Sequence, residues 1–283
     1  MILTNQSIKN LTPIIYSFDE AIKVAELAGR TAYKSEKNIT KDSAQIFING
    51  MIKNGHYAVL EHATIYLQLQ YNKDDEYQQR RFESIKAFYT YNPFSYCDTD
   101  NYGNLYVTTN YRVIIENNRQ HDLEYISCPR EKHIKRYTYL VTTNRQVQNE
   151  IVRHRSMSFL VESTRYCNYS KDKFSGQLTY IEPWWAKDPN KEEEWKETKK
   201  FFYLIEQMYN DFNMIPQEKA QILPLALKTE MVITADEYAW KHFFDLRYRG
   251  TTGTPHPQMA ELAGMLYIDF MKNGFINKDN DED

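Results

Sequence analysis

Apolar residues recur every three or four positions over residues 18–33, where Ala21, Val24, Ala25 and Ala28 share one face. They do so again over 41–53, where Ala44, Ile46, Phe47 and Met51 form the apolar set. A period near 3.6 predicts two amphipathic helices, the second capped by Thr40 or Asp42 and stopped by Gly55. The period then falls to two: over 63–70, Ile65, Leu67 and Leu69 alternate with Thr64, Tyr66 and Gln68, which predicts a strand. Residues 71–88 read as a charged helix, and 105–116 and 133–141 as strands rich in Tyr, Val, Ile and Thr.

Val147 and Ile151, four apart, predict a helix over 143–155, with Thr143 or Asn144 as its cap. Residues 178–183 read as a short strand, and 191–210 as a helix burying Trp195, Phe202, Ile205 and Met208. Pro216 opens a further helix, 229–234 alternate like a strand, and 236–247 and 256–271 close the chain as helices.

Composition narrows the function without naming it. The chain has 283 residues, 42% of them hydrophobic and 14% aromatic, enough for a sizeable core. A net charge of −3 provides no global attraction to nucleic acid or to an anionic membrane, so any anion site must be local. Cys97, Cys128 and Cys167 are an odd set without a C-x-x-C spacing, which points away from a disulfide framework or a zinc site. No run approaches the ~18 apolar residues of a membrane span, and the first residues lack the pattern of a signal peptide. A cytoplasmic protein is expected.

The densest chemistry lies in Arg153, His154 and Arg155, followed by seven residues and then Ser163, Thr164, Arg165 and Tyr166. Basic groups on the last turn of the predicted helix suit its dipole. The hydroxyls of Ser156, Ser158, Ser163 and Thr164 with the Arg165 fork suit phosphate. A solvated basic helix end followed by a polar loop accounts for the same residues. The other candidates are as open. His56 and His62 sit at a helix-to-strand junction, and His242 and Arg247 belong to a helix end. The basic cluster Lys132, His133, Lys135 and Arg136, beside Tyr137 and Tyr139, reads as a strand with one solvated face rather than a nucleic-acid surface. Neither GxGxxG nor GxxxxGKS occurs, so no Rossmann turn is available to a cofactor.

The run RHR, seven residues, then S-x-R-Y resembles the signature of the flavin-dependent thymidylate synthases (ThyX type), in a subgroup continuing ESTRYCNYS. Gly55-His56 with Glu61-His62 resembles the family's upstream segment, and Leu223-Pro224 through Thr234 to Arg247 its C-terminal one. The resemblance implies a single α+β domain over 1–283, with a central, mostly antiparallel sheet flanked by helices. Residues of about 71–143 would be a subgroup insertion that extends the sheet.

It also implies the reaction: dUMP is methylated at C5 to dTMP, with methylenetetrahydrofolate as carbon donor and NADPH-reduced FAD as hydride donor. Arg153, His154 and Arg155 would hold FAD, with His56, Glu61, Asp236 and His242 completing its surroundings. Ser163 and Arg165 would hold the dUMP phosphate and sugar, Arg247 the uracil carbonyl, and Glu150 another part of the nucleotide. Arg247, Ser163 and His56 are the residues nearest the chemistry, no metal is implied, and Cys167 is structural. Family members are homotetramers whose sites draw on several subunits.

Three departures bear on the substrate. Leu160 stands where the family usually has Asn, Val161 where it has a polar or acidic residue, and Ala220 where it has an arginine. Lys219, beside Ala220, is the candidate replacement, although a lysine lacks the bidentate fork. These changes keep open a related enzyme acting on another uridine nucleotide, or a homologue without turnover.

Overall fold

A computed structural model describes residues 1–276 apart from 73, 172, 173 and 175. The acidic end DNDED, expected to fray, lies outside the described residues. Helix α1 spans Phe18–Tyr33, the bounds that the apolar spacing predicts, and the Ser17 hydroxyl caps it by accepting the Glu20 N–H. Ala21, Ile22, Ala25 and Ala28 are buried along it, with Val24 half-buried at the margin. α2 (Ser43–Lys53) buries Ala44 and Ile48. Ile46, assigned to that face, is 76% exposed. Two residues from each of those positions, it points to the opposite side of the helix. The two helices approach closely at Gly29, where a Cβ would stand 2.7 Å from Cζ of Phe47.

After a 3₁₀ turn over Tyr57–His62, strand β3 (Thr64–Gln70) enters a three-stranded antiparallel sheet. The expected insertion supplies its other strands and a flanking helix: α3 (Glu76–Tyr91), β4 (Tyr96–Thr99) and β5 (Asn104–Asn110), in the order β3-β5-β4. The strand expected over 105–116 stops at Asn110, and Tyr111–Glu116 is helix α4. The Asn110 side chain accepts the Val113 N–H at 3.2 Å, so a cap outweighs the β-propensity of Val113, Ile114 and Ile115.

The second sheet has the order β2-β6-β9-β7 and is antiparallel throughout. Its strands are β2 (Ser7–Asn10), β6 (Arg136–Asn144), β7 (Ser158–Val161) and β9 (Lys228–Asp236). Helices α5 (Arg145–Ile151), α8 (Glu237–Arg247) and α9 (Pro257–Lys272) cover it, burying Tyr139, Val141, Met231, Ile233, Trp240 and Phe270. A third cluster joins the parallel pair β1 (Ile2–Thr4) and β8 (Thr179–Ile181) to α6 (Glu192–Asp211). α6 buries Trp195, Phe202, Ile205 and Tyr209, with Met208 half-buried. α7 spans Pro216–Lys219. The α+β expectation therefore holds, with the antiparallel strands divided between two sheets rather than gathered in one.

The basic cluster is not a solvated strand face. His133 is buried, accepting the Arg130 N–H at Nδ1 and meeting the Leu67 carbonyl at Nε2. Arg136 begins β6 with its guanidinium on the carbonyls of Thr109 and Glu61, and Tyr137 and Tyr139 are buried behind it. These contacts tie the two sheets together, as do His62 Nδ1 on the Thr234 hydroxyl at 2.8 Å and the Tyr66 hydroxyl accepting the Arg136 N–H. No helix among the described residues is long and apolar enough to cross a membrane.

Candidate active site

Helix α5 is shorter than the spacing predicts. Asn144 caps it by accepting the Val147 N–H at 2.8 Å, and it ends at Ile151, so Arg153, His154 and Arg155 lie on the turn beyond rather than on its last turn. That turn closes through Arg153 N–H on Glu150 O and His154 N–H on Ile151 O. Arg153 and Arg155 are thereby exposed, and His154 points inward at 7% exposure. Among the described residues neither arginine has a carboxylate partner.

His154 packs edge-on against Phe243, with His242 at a ring separation of 6.0 Å. Its Nε2 accepts the Nε–H of Arg247 at 3.1 Å, and Arg247 Nη1 donates to Glu150 Oε2 at 3.3 Å. Glu150, His154, His242 and Arg247, from α5, the turn and α8, thus come together. Burial, then the charges of Arg247, His242 and Arg153, push His154 down to about 4. A neutral imidazole can accept from Arg247, and the remaining Nη2 of Arg247 has no protein partner among the described residues.

Beside this cluster lies a cleft of about 340 Å³ lined by Glu61, Arg155, Ser156, Ser158, Asp236 and residues between 93 and 116. Asp236 caps α8 by accepting the Ala239 N–H at 2.8 Å, and its other oxygen accepts the Tyr96 hydroxyl at 2.9 Å. Burial and that contact push the Tyr96 phenol up to about 12. Glu61 accepts from Arg112 at 2.6 Å, and its backbone carbonyl accepts from Arg136. Tyr96, Arg112 and Arg136 were not legible as site residues, because the first two lie in a stretch without motif and the third in a cluster that reads as surface.

Ser163 and Arg165 stand apart. The segment after Ser156 is not a polar loop throughout, because β7 pairs Ser158–Val161 with β9 before Ser163 is reached. That four-residue strand covers roughly 13 Å. At its far end Ser163 N–H bonds the Ala32 carbonyl of α1, and the exposed Arg165 guanidinium lies 5.4 Å from the Tyr166 ring centroid. Leu160 and Val161 are strand positions packed against the two cores, which accounts for their apolar character. His56 is exposed and joins none of these groups. Lys219 is 5% exposed with its ammonium 5.0 Å from the Tyr209 ring centroid, so it is packed against α6 rather than presented as a replacement cation. Cys167 is buried.

Three histidines carry a pH consequence. Burial, then the charge of Arg136, pushes His62 down to about 3, and burial pushes His133 down to about 4, as it does His154. In the unfolded chain they protonate near about 6.5. Between those values the unfolded state binds more protons, so their contribution to stability is complete above about pH 6.5 and is lost as the pH falls toward 4. A thermal-melt series is expected to show Tm falling steadily over that interval. A flat profile would mean that these histidines are solvated in the folded protein.

The family model described as thymidylate synthase complementing protein matches residues 132–271. Among solved structures, the UMP/dUMP methylase PolB from Streptomyces cacaoi bound with 5-Br dUMP is similar at 14% identity and a TM-score of 0.45, covering 96% of this chain and 93% of that one. Thymidylate Synthase X (ThyX) from Helicobacter pylori with FAD and dUMP is similar at 12% identity and a TM-score of 0.39, covering 93% and 92%. No curated protein matches the sequence. The RHR turn, Ser163, Arg165 and Arg247 all fall inside the matched residues, so the likeness to the thymidylate synthase complementing protein family covers just under half of the chain and includes the densest of the sequence blocks that carry the resemblance.

Proposed function

We propose that the protein makes dTMP from dUMP by reductive methylation at C5, with methylenetetrahydrofolate as carbon donor and NADPH-reduced FAD as hydride source. The observation that carries this reading is the RHR turn: two exposed arginines without carboxylate partners flank a buried neutral histidine that holds Arg247. Arg155, Ser156 and Ser158 line one cleft with a donor set suited to phosphate, and this fits the diphosphate of FAD. At about 340 Å³ the cleft is at the low end of ligand pockets, so a flavin dinucleotide would extend past it toward Arg153.

FAD, when bound, supplies the hydride that no side chain can donate. The protein's part is placement and charge. Arg247, oriented by Glu150 and His154, has a free Nη2 to donate to a uracil carbonyl and stabilise negative charge on it as the ring is attacked. His242, Asp236 and Glu61 complete the flavin surroundings, His56 would join them only from another copy of the chain, Glu150 also meets the nucleotide, and Ser163 with Arg165 takes the dUMP phosphate. Because β7 separates that phosphate pair from Arg247 within one chain, we place the complete site between copies in a homotetramer.

A second reading, action on another uridine nucleotide, is favoured specifically by Ala220 and by the buried position of Lys219, which leave the expected arginine without a replacement. The test is mass spectrometry of products after anaerobic incubation with FAD, NADPH, methylenetetrahydrofolate and equal dUMP and UMP. Methylated dUMP alone supports the first reading, and methylated UMP the second. A colourless protein that cannot be loaded with FAD would overturn both.

A further inference from the structure

We propose that the insertion forms a wall of the cofactor cleft and that its Arg112 is a positioning residue, neutralising Glu61 and Glu116 so that a flavin diphosphate can lie beside Arg155. The inference rests on the flavin reading above and goes beyond it, because Arg112 lies outside every segment that carries the resemblance.

More than half of the residues lining the cleft come from the expected insertion, among them Tyr96, Asn110, Arg112 and Glu116, and the rest include Glu61, Arg155 and Asp236. The break from β5 to α4 makes this possible. In a helix, residues four apart stand one turn above another, so Arg112 and Glu116 meet on one face. In the strand that the sequence predicts, they would be roughly 13 Å apart. As folded, Arg112 Nη1 reaches Glu61 Oε1 at 2.6 Å and Nη2 reaches Glu116 Oε1 at 2.9 Å.

The charges of the cleft then sort themselves. Its carboxylates are Glu61, Glu116 and Asp236, and its cations are Arg112, Arg136 and Arg155. Arg112 occupies both glutamates, and Asp236 is taken by the Ala239 N–H and the Tyr96 hydroxyl. Arg136 is committed to two backbone carbonyls, and Arg155 is left to meet an anion. Removal of Arg112 would leave two glutamates uncompensated in the cleft, where they repel phosphate. Its guanidinium also fixes the Glu61 carboxylate, which belongs to the flavin surroundings.

Flavin-fluorescence titrations of the full chain with FAD, FMN and riboflavin test this. Arg112→Ala is expected to weaken FAD and FMN by about tenfold or more and riboflavin by less than about threefold, since only the first two carry phosphate. Adding Glu116→Gln should restore most of the FAD affinity by removing one of the repelling charges. Arg112 is 39% exposed at its side chain, so Arg112→Ala should keep its unfolding midpoint. Equal weakening of all three ligands, unchanged FAD affinity, or no recovery in the double variant would overturn the proposal and leave the flavin reading standing. A wild-type protein that binds none of the three would overturn both.

Discussion

Arg165→Ala is expected to lower dTMP formation by about 100-fold or more while leaving the unfolding midpoint nearly unchanged. A bidentate guanidinium–phosphate contact amounts to about 3 kcal/mol, and each 1.36 kcal/mol of lost transition-state binding is about tenfold in rate. The two halves of the prediction separate because Arg165 contributes little to the fold. It is exposed, and its one described contact beyond its own backbone is the ring of Tyr166. An exposed cation–π contact amounts to about 0.5 kcal/mol. If dUMP is held chiefly by its phosphate, the loss appears in KM as well as in kcat/KM. A fully active Arg165→Ala protein would remove this arginine from the phosphate site and leave Arg153 and Arg155 as the candidates to take its place.

Glu162→Ala is expected to destabilise the protein by about 3 kcal/mol, at the low end for breaking a buried ion pair. Glu162 is 1% exposed, accepts the Tyr169 hydroxyl at 2.7 Å, and lies 3.2 Å from Lys228 Nζ and 3.4 Å from Lys34 Nζ. Lys34 in turn pairs with Glu230, and Lys228 lies 2.8 Å from Glu230. Burial pushes the Glu230 carboxyl up, but Lys228 and Lys34 outweigh it and hold the group below its ordinary range. The cluster clamps the end of β7 to the C-terminus of α1, where Lys34 adopts a left-handed φ of 51° unusual for a lysine. Urea unfolding at neutral pH measures the effect, and Glu162→Gln should lose less because it keeps a hydrogen bond to Tyr169. A loss below about 1 kcal/mol for Glu162→Ala would show that solvent screens the cluster as it does surface pairs. Ser163 begins the next turn, so the clamp also sets where the pair proposed to take the phosphate stands.

Helices α1, α2, α6, α8 and α9 were legible within two residues at each end, because a period of 3.6 over eleven or more residues is a local signal. Strands β3 and β9 were legible for the same reason at period two. The errors fall where a single side chain outweighed propensity or where distant chain covered a surface. Asn110 turned an expected strand into α4, and contacts with distant chain drew His133 onto the Leu67 carbonyl and Arg136 onto those of Thr109 and Glu61, although their charges read locally as exposed.

The site divides along the same line. The order RHR, seven residues, S-x-R-Y is a property of the chain, and with the blocks around His56 and Arg247 it carried the candidate set and the family resemblance. Its neighbours are not a local property: Arg247 reaches Glu150 across 97 positions, Tyr96 reaches Asp236 across 140, and Glu162 is surrounded by lysines from α1 and β9. The sequence by itself determined the elements and the chemistry available, because periodicity and residue type act over a few neighbouring positions. Only the tertiary structure decided which charges are paired and which arginines are left free, because ion pairs form between side chains that strand register and helix packing bring together.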